Sequence, residues 1–449
     1  MPTSTRPQGA TSENLLSAIL SGERFWPTEP QSLHDTGLSE PFLEGLLCRH
    51  LMAHGSCSGR RLATLIGLPI RIVDPLLDRL RSMQVVVHRG SGPLNDYVYA
   101  LTEEGRKRAM ASQQDCAYIG PAPVPLMDYV ISVEAQAVRE EPILRAELLD
   151  AFHDISIAPA LLDLLGPAVN SGGGLFLYGA PGNGKSTIAH RVTSCYGSQI
   201  WVPHAFMVEQ EIVKVYDPAH HRQVETEGEL DRQSFDRRWI RVQRPTVVVG
   251  GELTLDNLEI RFDPYTKVSE APLHLKSNCG CLLIDDFGRQ RVSPEDLLNR
   301  WIIPLENRHD FLTMGNGKKI SVPFEQLIIF STNLDPADLV DEAFLRRIPY
   351  RLEVTDPTED EFYTLFQIAC DRQGCDYNGE AVRHLLDKYY RPKSRPLRRC
   401  HPRDLLSQIR YYCVYNSLPF ELRPEHIDHV AKGFFTDVPT RTRARRVAE

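Results

Sequence analysis

GLFLYGAPGNGKSTIAHRV, residues 174–192, is the stretch whose reading decides the fold. It opens on an apolar run, Leu175 to Leu177, that reads as a buried strand, and it closes on a helical pattern. Between the two, Gly179, Ala180, Pro181, Gly182, Asn183, Gly184, Lys185 and Ser186 fit GxxxxGK(S/T) without exception, and Thr187 follows. Glycines at these places let backbone N–H groups turn inward around a phosphate, and the helix behind them aims its positive end at the same charge. Lys185 is expected to reach the β- and γ-phosphates of ATP. The Ser186 hydroxyl is expected to give one oxygen to Mg²⁺, a cation that takes oxygen donors and keeps several waters.

Working outward, CLLIDDFG (Cys281 to Gly288) is a second apolar strand, ending in two carboxylates. Asp285 is placed to hold Mg²⁺, and Asp286 to polarise an attacking water. LIIFSTNL (Leu327 to Leu334) is a third buried strand with a polar exit at Asn333. With runs at 199–203 and 349–354, these strands alternate with helical stretches. That pattern calls for an α/β sheet with nucleotide at the strand C-termini.

Glycine loop, paired strand-end carboxylates and strand-end Asn, in this order, resemble the AAA+ superfamily of P-loop ATPases over about residues 140–436. The resemblance implies an αβα core with a five-stranded parallel sheet and a helical lid. It makes Asn333 a sensor of the γ-phosphate and water. In DEAFLRRIPYRLEV (341–354) it makes Arg346 or Arg347 an arginine finger reaching a neighbouring subunit, hence a homo-oligomer. In the helix start His401-Pro-Arg-Asp it makes Arg403 a sensor-2 arginine. Asp at position 286 departs from the Glu of many relatives, although Asp-Asp also resembles bacterial replication initiators and helicase loaders. The catalytic candidates are therefore Lys185, Asp286, Asn333, Arg346, Arg347 and Arg403, with Ser186 and Asp285 at the metal.

Upstream, residues 1–38 read as a flexible arm. Residues 39–112 show three helix-like segments, two β-like runs around GSGPLND and one more helix, an order that resembles a winged helix-turn-helix domain. Residues 41–113 hold ten Lys or Arg against six Asp or Glu, within a chain of net charge −8. Arg71, Arg79 and Arg81 on the third helix and Arg89 on the wing are the candidate DNA contacts, and Pro75 inside that helix speaks against them. Residues 113–139, with GPAPVPL, read as a stiff linker. Two additions interrupt the core, at about 217–278, expected to form a β-hairpin or small sheet around Gly250-Gly251, and at 310–325. The second reads as a hairpin around Gly315-Asn316-Gly317 that resembles the pre-sensor-1 hairpin, with Lys318 and Lys319 at its tip. Residues 357–436 read as the lid and 437–449 as a basic tail.

A chain of 449 residues with 42% hydrophobic and 24% charged residues is ordinary folded protein of several domains. No apolar run reaches the roughly 18 residues of a membrane span, and no secretory signal opens the chain, so a cytoplasmic protein is expected. The ten cysteines are irregularly spaced and read as buried thiols rather than metal ligands. Neither a GAFTGA-type loop nor an HExxH peptidase motif is present. The sequence therefore points to an ATP-hydrolysing protein that remodels a client protein or DNA through residues 39–112 and hairpin 310–325. The alternative is a nucleotide-gated DNA-binding regulator with slow turnover.

Overall fold

The structure is a computed structural model, and it describes residues 24–91, 96–137, 142–155, 157–197, 199–224, 234–339 and 342–435. The basic tail and most of the expected arm lie outside these residues. In chain order, the N-terminal unit runs α1 (Glu40–His54), β1 (Ser56–Ser58), α2 (Gly59–Ile66), α3 (Ile70–Ser82), β2 (Val86–Ser91), β3 (Tyr97–Leu101) and α4 (Glu103–Asp115). The apolar stripe Ile72, Val73, Leu76, Leu77 and Leu80 buries α3 against this unit's core. Ser58 caps α2 through Arg61 N, and Thr102 caps α4 through Gly105 N. Pro75 lies on the exposed face of α3, which runs on through it to Ser82.

Next come β4 (Val124–Pro125), α5 (Leu126–Ala135), α6 (Arg145–Ala151), α7 (Pro159–Asn170), β5 (Gly174–Tyr178) and α8 (Lys185–Ser194). A long β-rich excursion follows, with β6 (Gln199–Pro203), β7 (Ala205–Val208), β8 (Glu211–Lys214) and β9 (Trp239–Gln243). The chain then makes β10 (Thr246–Val249), β11 (Arg261–Asp263), β12 (Val268–Glu270), α9 (Leu273–Lys276), β13 (Cys281–Ile284) and α10 (Pro294–Asn307). Last in the core are β14 (His309–Thr313), β15 (Lys319–Pro323), β16 (Leu327–Thr332), α11 (Pro336–Leu339), α12 (Glu342–Arg347) and β17 (Tyr350–Glu353). Helices α13 (Glu359–Gln373), α14 (Gly379–Leu385), α15 (His401–Tyr415) and α16 (Pro424–Phe434) form the lid around Phe362, Phe366, Leu385, Leu405 and Ile409.

The central sheet has five parallel strands in the order β10-β13-β16-β5-β17. Helices cover both faces, and buried Leu175, Phe176 and Leu177 mark β5 as an inner strand. This is the expected α/β core with one correction, since residues 199–203 are not in it. They pair antiparallel with β9, and β10 takes the edge beside β13. Both segments are short apolar runs that periodicity cannot rank. Trp201 decides between them, because it packs edge-on against Trp26 at 5.5 Å and stacks obliquely with Phe235 at 5.1 Å, away from the core sheet.

Further expectations change. The inserted β structure begins at β6 rather than near residue 217, and Gly250-Gly251 follows core strand β10 instead of turning a hairpin. Residues 113–139 are no free linker. Val124 and Ala122 are buried, β4 joins β7 as the edge of a second five-stranded sheet, β11-β12-β8-β7-β4, and α5 packs inside it. Residues 24–38 are not a flexible arm either, for Trp26 is only 4% exposed. The hairpin β14–β15 forms around Gly315-Asn316-Gly317, but it docks on the insertion. Leu312, Met314, Ile320 and Val322 enter that core, and Glu211 accepts from Gly315 N (2.9 Å) and Asn316 N (3.3 Å). Lys318 pairs with Glu209, so the tip offers less free positive charge than expected.

Among the described residues no helix is long and apolar enough to cross a membrane. No disulfide joins any of the ten cysteines. Replacing Trp26→Ala should destabilise the insertion by about 3–5 kcal/mol, the usual cost of deleting a buried large aromatic. Urea unfolding followed by near-UV circular dichroism reads it, and an unchanged midpoint would return residues 24–38 to the status of a loose arm.

Candidate active site

The C-terminal ends of the core strands converge on the glycine loop. After β5, Gly179 (φ 132), Gly182 (φ 83) and Gly184 (φ 87) take left-handed conformations, and Gly184 opens α8. The approach to the far end of the sheet is tight, because a Cβ on Gly179 would stand 2.5 Å from the Val354 carbonyl oxygen.

Lys185 is 7% exposed, and its ammonium donates to Gly179 O (2.9 Å), Ala180 O (3.1 Å) and Asn333 Oδ1 (2.7 Å). Burial pulls its pKa below the usual lysine range, against the opposing carboxylates of Asp285 and Asp286. Ser186 Oγ donates to Asp285 Oδ2 at 2.9 Å, and Asn333 Nδ2 donates to Asp286 Oδ1 at 3.1 Å. The pair Ser186 and Asp285 presents hard oxygen donors only. That set fits Mg²⁺ shared with a phosphate chain, and it lacks the three or more ligands of a dedicated metal cage, of which there is none among the described residues.

The lid closes over the loop through backbone and side chain together. Cys400 N donates to Gly182 O (2.9 Å) and Arg399 N to Asn183 Oδ1 (3.3 Å). Asn183, 1% exposed, donates through Nδ2 to Asp356 Oδ1 (2.7 Å), and Asp356 also pairs with Arg398. On the other flank the Asp154 carboxylate takes Arg191 of α8 at 2.7 Å and Arg372 of α13 at 2.9 Å. The open cleft between loop and lid measures about 1130 Å³. Pro181 to Ile188, Asp285, Asp286 and Asn333 line its charged end, while Ile155, Ile157, Leu161, Leu365 and Ile368 line an apolar end suited to a base.

Lys185, Ser186, Thr187, Asp285, Asp286, Asn333 and Arg403 therefore share one cavity. Arg403 does so at its rim, 72% exposed and paired with Asp404. Arg346 and Arg347 do not reach it. They end α12, where Arg347 donates to Glu306 at 2.7 Å and Arg346 is exposed with no ion pair among the described residues. Sequence reading missed the clasps Asn183–Asp356, Asp154–Arg372 and Arg398–Asp356. The run RPLRRCHPRD was the visible trace of the last of these, but charge alone did not say which of its arginines faces Asp356. His401 in that run is a neutral imidazole, pulled down to about 4 by burial and bonded to the Tyr390 hydroxyl at 2.7 Å.

A family model described as a domain of unknown function, DUF8689, matches residues 358–433, the lid. No curated protein matches the chain. Among solved structures the chain is similar to NtrX from Brucella abortus, at 11% identity and TM-score 0.40, over 64% of this chain and 57% of that one. It is similar to the same protein in complex with ADP, at 11% identity and TM-score 0.39, over 66% and 60%. It is also similar to RuvB of Thermotoga maritima, the Holliday junction branch migration motor, at 14% identity and TM-score 0.34, over 66% and 72%. The chain thus spans 57–60% of the length of NtrX. At such identities and scores the likeness decides nothing about activity, which the site's own geometry must carry.

Gly182→Ala tests that geometry, since its Cβ would lie 2.6 Å from Cys400 Sγ on a φ of +83. Calorimetry should show Mg-ATP affinity falling by about tenfold or more; unchanged affinity would mean that the lid contact at Gly182 is irrelevant to the site.

Proposed function

We propose that this chain is an Mg-dependent AAA+ ATPase that works as a homo-oligomer and uses ATP hydrolysis to remodel a client. The observation that carries the reading is the continuous chain from Lys185 through Asn333 to Asp286, set beside Ser186 and Asp285 at the mouth of the glycine loop. Lys185 is placed to neutralise the β- and γ-phosphates, exchanging its carbonyl partners for phosphate oxygens. Asp286 and Asn333 are placed to orient a water in line with the γ-phosphate, and Asp286 can accept its proton. Ser186 and Asp285 would hold Mg²⁺, which when bound would supply charge neutralisation on the phosphate chain. Asn183 and the Asp154 clasp tie the lid to the core beside the nucleotide, which keeps the charged groups of the cleft in place.

The arginines that line the cavity among the described residues, Arg191, Arg372, Arg399, Arg403 and Arg410, come from α8 and the lid, and a finger from a neighbouring subunit would add a cation from outside them. Arg346, exposed and unpaired among the described residues, is the better finger for a neighbouring subunit, since Arg347 is already engaged by Glu306. A protein client is favoured over DNA. On α3, Arg71 pairs with Glu29 and Arg79 with Glu40 and Glu44, which leaves Asp74, Pro75 and Asp78 prominent on its exposed face, with Arg81 beside Asp78. Such a face neutralises few phosphates.

Steady-state ATP hydrolysis should rise cooperatively with protein concentration. Arg346→Ala should lower it by about three powers of ten, as finger residues do, and Arg347→Ala by much less. Mixing Arg346→Ala with Asp286→Asn subunits should recover part of the rate. Turnover independent of concentration, and equal in Arg346→Ala and the parent, would rule out a site completed in trans.

A further inference from the structure

Asp286 is the second carboxylate of the strand-end pair, and its backbone conformation bears on why an aspartate stands there. Its φ is +51, in the left-handed region. L residues enter that region at a cost, and Asp and Asn enter it more readily than Glu because a short polar side chain can bond locally. The Asp286 amide is tied by the preceding side chain, donating to Asp285 Oδ1 at 3.1 Å, while the Asp286 carboxylate is left to accept from Asn333.

The turn that imposes this conformation is closed by one side chain the mechanism has not used. Gln290 accepts from Gly288 N through Oε1 and donates from Nε2 to Asp285 O, both at 2.8 Å, so its amide spans the loop from one end to the other. The other ties are Arg289 N on Asp286 O (3.0 Å) within the turn, Asp285 N on Val249 O (2.8 Å) of β10, and, to β16, Phe287 N on Ser331 O (2.7 Å) and Thr332 Oγ1 on Phe287 O (3.0 Å). They hold both flanks of the turn, while the carbonyl of the Asp285–Asp286 peptide is held by Gln290. Asn333, one residue beyond β16, then meets Asp286 Oδ1 at 3.1 Å.

We infer that Gln290 is a positioning residue that holds Asp286 in its left-handed conformation, and that this turn requires Asp rather than Glu at 286. The inference rests on the ATPase reading above. Both halves of the Gln290 amide are used, so Gln290→Ala loses two bonds, whereas Gln290→Glu keeps an acceptor for Gly288 N and turns an anionic oxygen on the Asp285 carbonyl.

The test is a cycle of single-turnover rates with γ-labelled ATP, alongside Mg-ATP affinities, for the parent, Gln290→Ala, Gln290→Glu, Asp286→Asn, Asp286→Glu and the Gln290→Ala/Asp286→Asn double variant. Gln290→Ala should slow hydrolysis by about tenfold at unchanged affinity, Gln290→Glu by less, and Gln290→Ala should add nothing once Asp286 is Asn. Asp286→Glu should be slower than the parent. A full tenfold loss carried into the double variant, or affinity falling as far as rate, would overturn the positioning role while the ATPase reading stands. Asp286→Glu as fast as the parent would overturn the requirement for Asp. A parent that binds Mg-ATP without turning it over would overturn the ATPase reading, and this inference with it.

Discussion

A buried ammonium must be surrounded by acceptors, and the 7% exposed Lys185 meets that demand with Gly179 O, Ala180 O and Asn333 Oδ1. Much of the site follows from this requirement. Asn333 can reach the lysine only if the strand before it lies directly beside the strand that feeds the glycine loop, as β16 lies beside β5. With β16 there, β13 takes its other edge and delivers Asp285 to Ser186 and Asp286 to the second half of the Asn333 amide. One side chain thus links the Lys185 ammonium to the Asp286 carboxylate. A phosphate arriving at Lys185 changes the partners of a group already wired to Asp286.

The lid joins the same network from outside the sheet. Asn183 is a loop residue whose buried side chain bonds to Asp356 at the core–lid junction and to the backbone of Arg399. Movement of the loop around a phosphate and movement of the lid are therefore mechanically joined. The opposite side of the core carries the other moving part. Arg300 on α10 grips Asp310 at the base of the β14–β15 hairpin at 2.8 Å and also holds Glu259. Burial alone would raise the Asp310 carboxyl, but its bonds to His274 and Arg300 keep it below the usual range and ionised. Beyond the hairpin, buried Arg238 pairs with Asp236 and donates to Thr36 O and Pro123 O, tying the insertion to the N-terminal unit. Hairpin, insertion and N-terminal unit form one continuous packed body. Displacement of α10 would be felt across all of it.

The parts legible in sequence were those where chemistry demands a fixed spacing. The glycine loop, the Asp285–Asp286 pair and the Asn333 exit could be read because each sits at the end of an apolar run that leaves few alternatives. The parts that were not legible depend on which distant segment a short run meets. Residues 199–203 and 246–249 have the same apolar, β-branched character, and only the packing of Trp201 with Trp26 and Phe235 sends the first away from the core. Proline in residues 113–139 suggested a spacer, yet Val124 and Pro125 use their extended backbone to edge a sheet whose other strands lie far off in sequence. Likewise a count of positive charges over 41–113 could not reveal that Arg71 and Arg79 are spent on Glu29, Glu40 and Glu44. Ion pairing between distant residues leaves no trace in local composition.

The central claim is that nucleotide is held jointly by the glycine loop and the lid, with Asn183 as their junction. Hydrogen exchange with and without a slowly hydrolysed Mg-ATP analogue tests it most directly, read at residues 179–187, 354–356 and 398–404. The account predicts that all three segments become protected together, and that Asn183→Ala confines protection to residues 179–187. Protection limited to the loop in the parent protein would contradict it.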